Sequence, residues 1–192
     1  MRTALIMLFA YASCKIQRAR VLGAVQIIFT FLALTLPCTT HAQQNSEYTI
    51  KSAFILNFLK FTELPIKNQD SLLLCIYEKS DAVNAAKILS EKRVGQRSIS
   101  VKSITKGEDV KSCDAIYIPF SEIQVIQSIL NSTIGHSVLT IGEDLDFLSN
   151  GGMIAMISQD NKIKFAISGK NAQSEKISFS AKLMALAVST DR

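Results

Sequence analysis

Three groups of residues in this chain have the types and spacing that chemistry uses. Ser103 and Lys106 stand in the S-x-x-K order that places a nucleophile and its lysine on one helical turn in β-lactamase-type enzymes. Ser178 and Lys182 lie four apart, so a helix would bring their side chains together as a Ser–Lys pair. Glu143, Asp144 and Asp146 crowd the stretch GEDLDFLSN and offer the oxygen ligands that a hard cation takes.

Each group has a plainer reading, and the plainer reading fits better. Ser103 closes an alternating, strand-like run, and no SDN or KTG follows it. Amphipathic helices place serine and lysine one turn apart routinely. The three acids lack the spacing of a calcium loop and read as a capped, solvated turn. His136 follows Gly135 at the entrance of an apolar run, where an imidazole is a surface or structural group. HExxH, GxGxxG, Walker and GxSxG patterns do not occur. The expectation is a protein with no catalytic residues, no metal site and no cofactor.

The glycine pair in GGMIAMISQDNKIKFAIS, residues 151–168, raises the question of a phosphate loop. Such a loop needs its glycines to open a helix, so that amides and the helix dipole converge on the anion. Here MIAMI follows directly, apolar throughout like a strand covered on both faces, and residues 163–168 alternate. Asp160-Asn161 sits where a two-residue turn wants residues tolerant of positive φ. A β-hairpin explains every position, with the glycines serving a bend or a close backbone approach.

The elements that must position these residues follow from periodicity. Residues 48–65 have helical spacing at 50, 54, 58 and 61, with Pro65 as the stop, and Ser46 is placed to cap the start. Residues 71–78 (SLLLCIYE), 113–119 (CDAIYIP) and 136–142 (HSVLTIG) are short apolar runs suited to buried strands. Residues 96–104 alternate as a half-exposed strand. Residues 81–92 and 121–131 read as helices, the second with Ser121 as its cap, and 171–189 reads as a final helix with apolar 177, 181, 184 and 188. Buried strands alternating with helices predict an α/β fold, a three-layer α/β/α sandwich whose mixed sheet ends in the β-hairpin and a C-terminal helix.

The first 42 residues read as a leader. KIQRAR at 15–20 precedes the uncharged, mostly apolar run 21–36, and Thr40 and Ala42 stand at −3 and −1 of a cut before Gln43. That order is a secretory signal peptide, and the apolar run is short for a spanning helix of about 20 residues. The extra apolar run TALIMLFAYASC before it leaves two other readings: a start downstream of Met1, or an uncleaved anchor. Thr35-Leu36-Pro37 is a poor context for lipid attachment at Cys38.

Charge changes with the leader. It holds Arg2, Lys15, Arg18 and Arg20 and no acid, so 21 basic residues become 17 against 16 acidic ones, and net +5 becomes +1. The basic balance is a targeting feature and gives no reason to invoke nucleic acid. Residues 43–192 remain as one domain, with Cys75 and Cys113 as its cysteines. In an oxidising compartment two lone cysteines are most simply one disulfide, two buried thiols being the alternative. Cys75 lies well inside its strand and Cys113 at the start of another, so staggered strands or a different strand limit must bring their Cα atoms within about 7 Å.

At this point the chain resembles the YfiR family of small bacterial periplasmic proteins, over about residues 47–188. KSAFILNFLKFTELP is similar to the family's opening KAAFLYNFAKFVEWP pattern, and LLLCIYE and SCDAIYIP to its two cysteine-bearing strands. VLTIGEDLDFLSNGGMIAM resembles VLTVSD…GF…GGMI, while KIKFAISGKNA and SFSAKLMALA resemble RFEIN…A and ISSKLLRLA. Departures are Leu64 for the family's tryptophan, Ala166 for the glutamate of FEIN, Ser168 for the asparagine after it, and no second cysteine pair near GGMI.

The resemblance implies a periplasmic, non-enzymatic regulator that binds and represses an inner-membrane diguanylate cyclase through its periplasmic domain, controlling cyclic-di-GMP and biofilm formation. It implies an OmpA-like outer-membrane lipoprotein as a second partner that sequesters the repressor, and a disulfide between Cys75 and Cys113. A homodimer is a further arrangement this reading allows. Lys164, on the alternating strand, and Asn171, at the start of the final helix, are the expected partner contacts. The alternative is a periplasmic small-molecule sensor with crevices at the strand carboxyl ends near Tyr77, Pro119 and Gly142. A hydrolase would need turnover through Ser178 or His136.

Overall fold

The structure is a computed structural model and describes residues 40–191 except 79, 120, 121, 160 and 161. The expected leader, through residue 39, therefore lies outside the described residues. The first helix, α1 (Thr40–Lys60), runs through the expected cleavage point and ends earlier than Pro65, because Thr62–Glu63 forms a strand, β1. Next come β2 (Ser71–Tyr77) and α2 (Ser80–Ala86), which tightens into a 3₁₀ turn over Lys87–Glu91. The hairpin of β3 (Arg93–Val94) and β4 (Arg97–Ile104) follows, then β5 (Ala115–Tyr117) and α3 (Ile123–Thr133). After β6 (Leu139–Glu143) and the single turn α4 (Asp146–Ser149) come β7 (Ile154–Gln159) and β8 (Lys162–Ser168).

The last stretch corrects the expectation of one helix over 171–189. It is two short helices, α5 (Gly169–Ser174) and α6 (Ala181–Leu186), with β9 (Ser178–Phe179) between them and β10 (Ser189–Asp191) after them. Ser168 and Ser180 each cap a new helix by accepting from the amides of Asn171 and Leu183. Between the helices, Lys176 takes φ 59° and β9 pairs antiparallel with β1, Thr62 opposite Phe179. Apolar residues at helical spacing were there, but strand pairing to a segment over 100 residues earlier outweighed local propensity.

The main sheet has the order β10-β8-β7-β6-β5-β2-β4-β3. It is mixed: β3 pairs antiparallel with β4 and β7 with β8, and the remaining pairs are parallel. The expected hairpin is present, with Gln159 paired to Lys162 across two residues that lie outside the described set.

Alternation splits each central strand between two cores. Leu72, Leu74 and Ile76 of β2, with Ala115 and Tyr117 of β5, face α1 through Ile55, Phe58 and Leu59. Cys75, Tyr77, Ile116 and Ile118 face α3 through Ile129 and Leu130. Helix layers on both faces of a buried sheet make the three-layer sandwich. The α1 side is fastened to β8 by aromatic contacts, Phe58 to Phe165 at 5.0 Å and Phe54 to Phe165 at 6.1 Å between ring centroids.

Ser121, the expected cap of α3, lies outside the described residues. The residue at the cap position is Glu122, whose side chain makes no capping bond.

Candidate functional site

The residues that looked catalytic are not brought together as catalytic groups. Ser178 stands in β9 and donates to Glu63 Oε2 at 2.9 Å, while Lys182, on α6, lies 5.1 Å from the ring centre of Phe61. The strand break between them removes the helical turn on which a Ser–Lys pair depends. Ser103 is an exposed residue of β4, and Lys106 is in the loop beyond it. His136 is exposed in the turn before β6 and donates its backbone N–H to Thr133 O.

The acids of GEDLDFLSN part company. Asp144 and Asp146 stay at the exposed turn into α4, but Glu143 points into the protein. Its Oε1 accepts from Lys51 Nζ at 2.6 Å and from the Tyr117 hydroxyl. Lys51 reaches Glu47 Oε1 at 2.7 Å as well, and Ser158 donates to that same oxygen at 2.9 Å. Lys51's side chain is only 5% exposed, so one ammonium sits out of water between two carboxylates. This is a closed polar cluster at the carboxyl ends of β5, β6 and β7, built from four elements. Among the described residues, no group of three or more His, Cys, Asp or Glu side chains is placed to hold a metal ion.

The electrostatics follow from this crowding. Burial pushes Lys51 down, but its hydrogen bonds to Glu143 and Glu47 outweigh burial and hold it above its ordinary value. Glu47 is held below the usual carboxylate range, chiefly by its bond to Lys51. Tyr117 is raised far above the ordinary phenol range by burial and then by the Glu143 charge, so it acts here as a neutral donor. The Glu47–Lys51 step of four residues was visible in the sequence; Glu143, 92 residues away from Lys51, carried no local signal.

The strand carboxyl ends do carry crevices where a sandwich fold offers them. One of about 160 Å³ is bounded by Tyr77, Lys106, Glu108 and Ser128, and one of about 150 Å³ by Pro119, Ile126, Glu143 and Phe147. Both fall below the roughly 300 Å³ at which small-molecule pockets begin.

Cys75 and Cys113 form a disulfide with Cα atoms 6.0 Å apart. The strand limit resolves the stagger: β5 begins at Ala115, so Cys113 belongs to the turn before it, where its N–H donates to Val110 O. The backbone is then free to carry Cys113 toward the α3 side of β2, where Cys75 is wholly buried.

The two expected partner contacts differ. Lys164 is half-buried on β8, opposite Ile157, and donates to Gln159 Oε1 at 3.0 Å. Asn171 is turned inward: its side-chain amide donates to Leu148 O at 3.0 Å and Gly152 O at 2.7 Å. The glycine pair explains that geometry. Gly151, at φ 102°, and Gly152 donate to Leu148 O and Phe147 O, the two bonds of a Schellman cap ending α4. They are a helix stop and a close approach to Phe147, as a bend reading requires.

A three-layer α/β sandwich with one disulfide and a closed ion cluster defines the class. The chain belongs to the YfiR/HmsC-like family, which it matches over residues 48–188. That family is regulatory, periplasmic and acts through protein interactions in cyclic-di-GMP signalling. No curated protein matches the chain. Among solved structures, a conserved domain protein from Vibrio cholerae O1 biovar El Tor is 10% identical, with a TM-score of 0.52, over 75% of this chain and 60% of that one. That likeness supports the fold. The ABC domain of Streptococcus pneumoniae, solved with L-Trp, is 13% identical with a TM-score of 0.48 over 63% of this chain and 55% of that one. The chain thus spans less than two thirds of either structure. No described helix is long and apolar enough to cross a membrane.

Proposed function

We infer that this protein is a non-enzymatic periplasmic repressor that binds the periplasmic part of an inner-membrane diguanylate cyclase and lowers cyclic-di-GMP, and with it biofilm formation. The observation that carries the reading is the family match across residues 48–188. The leader in residues 1–42 delivers the chain to the periplasm, and cleavage before Gln43 releases it. An OmpA-like outer-membrane lipoprotein sequesters it and frees the cyclase. Repression requires that the protein bind one state of the cyclase better than another, because only differential affinity shifts an equilibrium.

Two features support a protein partner over a small-molecule ligand. The two crevices at the strand carboxyl ends, about 160 and 150 Å³, are smaller than the roughly 300 Å³ of a usual small-molecule pocket. At the ends of β5, β6 and β7, Tyr117 is spent on Glu143, Glu143 on Lys51 and Ser158 on Glu47. Lys164 is the contact we assign to the partner, and Asn171 supports the loop beside it.

The test is the level of intracellular cyclic-di-GMP in the source bacterium with the gene deleted and then restored. A rise on deletion, reversed on restoration, is the expected result. An unchanged level, with the protein confirmed in the wild-type periplasm, overturns the reading.

A further inference from the structure

We propose that Glu47, Lys51 and Glu143 form an acid-released clasp that holds the amino-terminal half of α1 against the carboxyl ends of β5, β6 and β7. The groups facing Lys51 come from every element packed there. Glu47 and Tyr48 are on α1, Tyr117 on β5, Glu143 on β6, and Ser158 on β7 reaches Glu47. None of them is a histidine, and acid acts on the clasp through Glu47, the carboxylate that Lys51 holds below the usual range. Lys51 remains an ammonium at every acidic pH.

The asymmetry makes the device. At neutral pH the buried ammonium, 5% exposed, is matched by two carboxylates at 2.6 and 2.7 Å. Once Glu47 is protonated, Lys51 stays charged and dry with one of its two counter-charges gone, a costly state for a buried ion. The release is local. Further along α1, Phe54 and Phe58 pack on Phe165 without a titratable group in the contact, and across the sheet Cys75–Cys113 ties the core on the α3 side. The amino-terminal turns of α1 therefore lift before the domain opens.

The sign follows from Glu47. Lys51 holds it below the usual carboxylate range, so its contribution is fully present above that range and is lost as pH falls through its lower folded value.

The experiment is hydrogen exchange of the whole protein between pH 7 and pH 3.5, corrected for intrinsic rates. It compares amides 48–52 of α1 with amides 72–76 of β2. The clasp predicts that the α1 amides gain about tenfold in exchange relative to β2 over that range, the equivalent of one pKa unit of linkage. Lys51→Met supplies a sign test, since it leaves two carboxylates facing each other with no cation. In that variant acid relieves repulsion, and α1 protection rises as pH falls. Lys51→Met/Glu143→Gln removes most of the dependence. Equal acid response of α1 and β2 in the unaltered protein overturns the proposal, and so does a Lys51→Met variant that keeps the unaltered protein's pH dependence. If the variants do not fold, the unaltered protein alone decides.

Discussion

Cys75 and Cys113 are joined across the α3-facing core, Cα to Cα 6.0 Å, although one lies inside β2 and the other in the turn before β5. The bond closes a loop with a sequence separation of 38. In the chain-entropy account a loop of that length is worth about 4 kcal/mol. Cys75→Ser/Cys113→Ser is expected to lower the unfolding free energy by roughly that amount, read as a drop in denaturant midpoint with a steeper slope, because the uncrosslinked denatured chain is more expanded. An equal midpoint in oxidised and reduced protein would show that the bond contributes nothing to stability.

Gly142 and Gly152 hold the ring of Phe147 between them. A methyl at Gly142 would come within 2.5 Å of Phe147 Cγ, and one at Gly152 within 2.7 Å of the Phe147 carbonyl. Gly152→Ala must move backbone and is expected to cost about 2 kcal/mol, the usual range for overpacking. The atoms nearest a methyl at Gly142 all belong to the ring, so Phe147→Leu should recover part of the Gly142→Ala loss in thermal melts. Equal losses with and without Phe147→Leu would refute the ring as the cause.

Asn171 and Lys164 separate a structural role from a contact role. Asn171→Ala strips the side-chain donors from Leu148 O and Gly152 O and should cost about 1–2 kcal/mol of stability. Lys164→Glu should leave stability within about 0.5 kcal/mol, because the half-buried side chain makes a solvent-exposed hydrogen bond to Gln159 and no ion pair among the described residues. If β8 meets the cyclase, Lys164→Glu raises cyclic-di-GMP in cells while the protein level stays constant. Normal repression by Lys164→Glu would move the contact elsewhere.

Lys51→Ala removes the cation from Glu47 and Glu143. Breaking a buried pair from one side costs about 3 kcal/mol or more, because the remaining charge stays buried. Glu143 is only 15% exposed, so most of that penalty applies at pH 7, while Glu47, 43% exposed, is discounted for solvent screening. Chemical unfolding at pH 7 reads the loss. A change under about 0.5 kcal/mol would mean that water already screens the pair.

The sequence by itself determined the strands and the class of fold. Leu72 to Ile76 and Ala115 to Tyr117 are apolar on both faces, and only a covered sheet hides both at once. The hairpin at 154–168 was legible for the same reason, its alternation leaving one register that buries Phe165 and Ile167. The family could be read from motif order across the domain. Tertiary structure decided what depends on distant partners. The C-terminal stretch from 171 has helical spacing, but the pairing of Phe179 with Thr62 interrupts it, and no local pattern encodes a partner so far away. The clasp is the same case: Glu143 looked like one of three solvated acids until folding set Lys51 beside it at 2.6 Å. Burial turned an ordinary surface charge into a paired one. Periodicity reports which face of an element is apolar, whereas the chemistry of a charged side chain is set by what the fold places within a few ångströms of it.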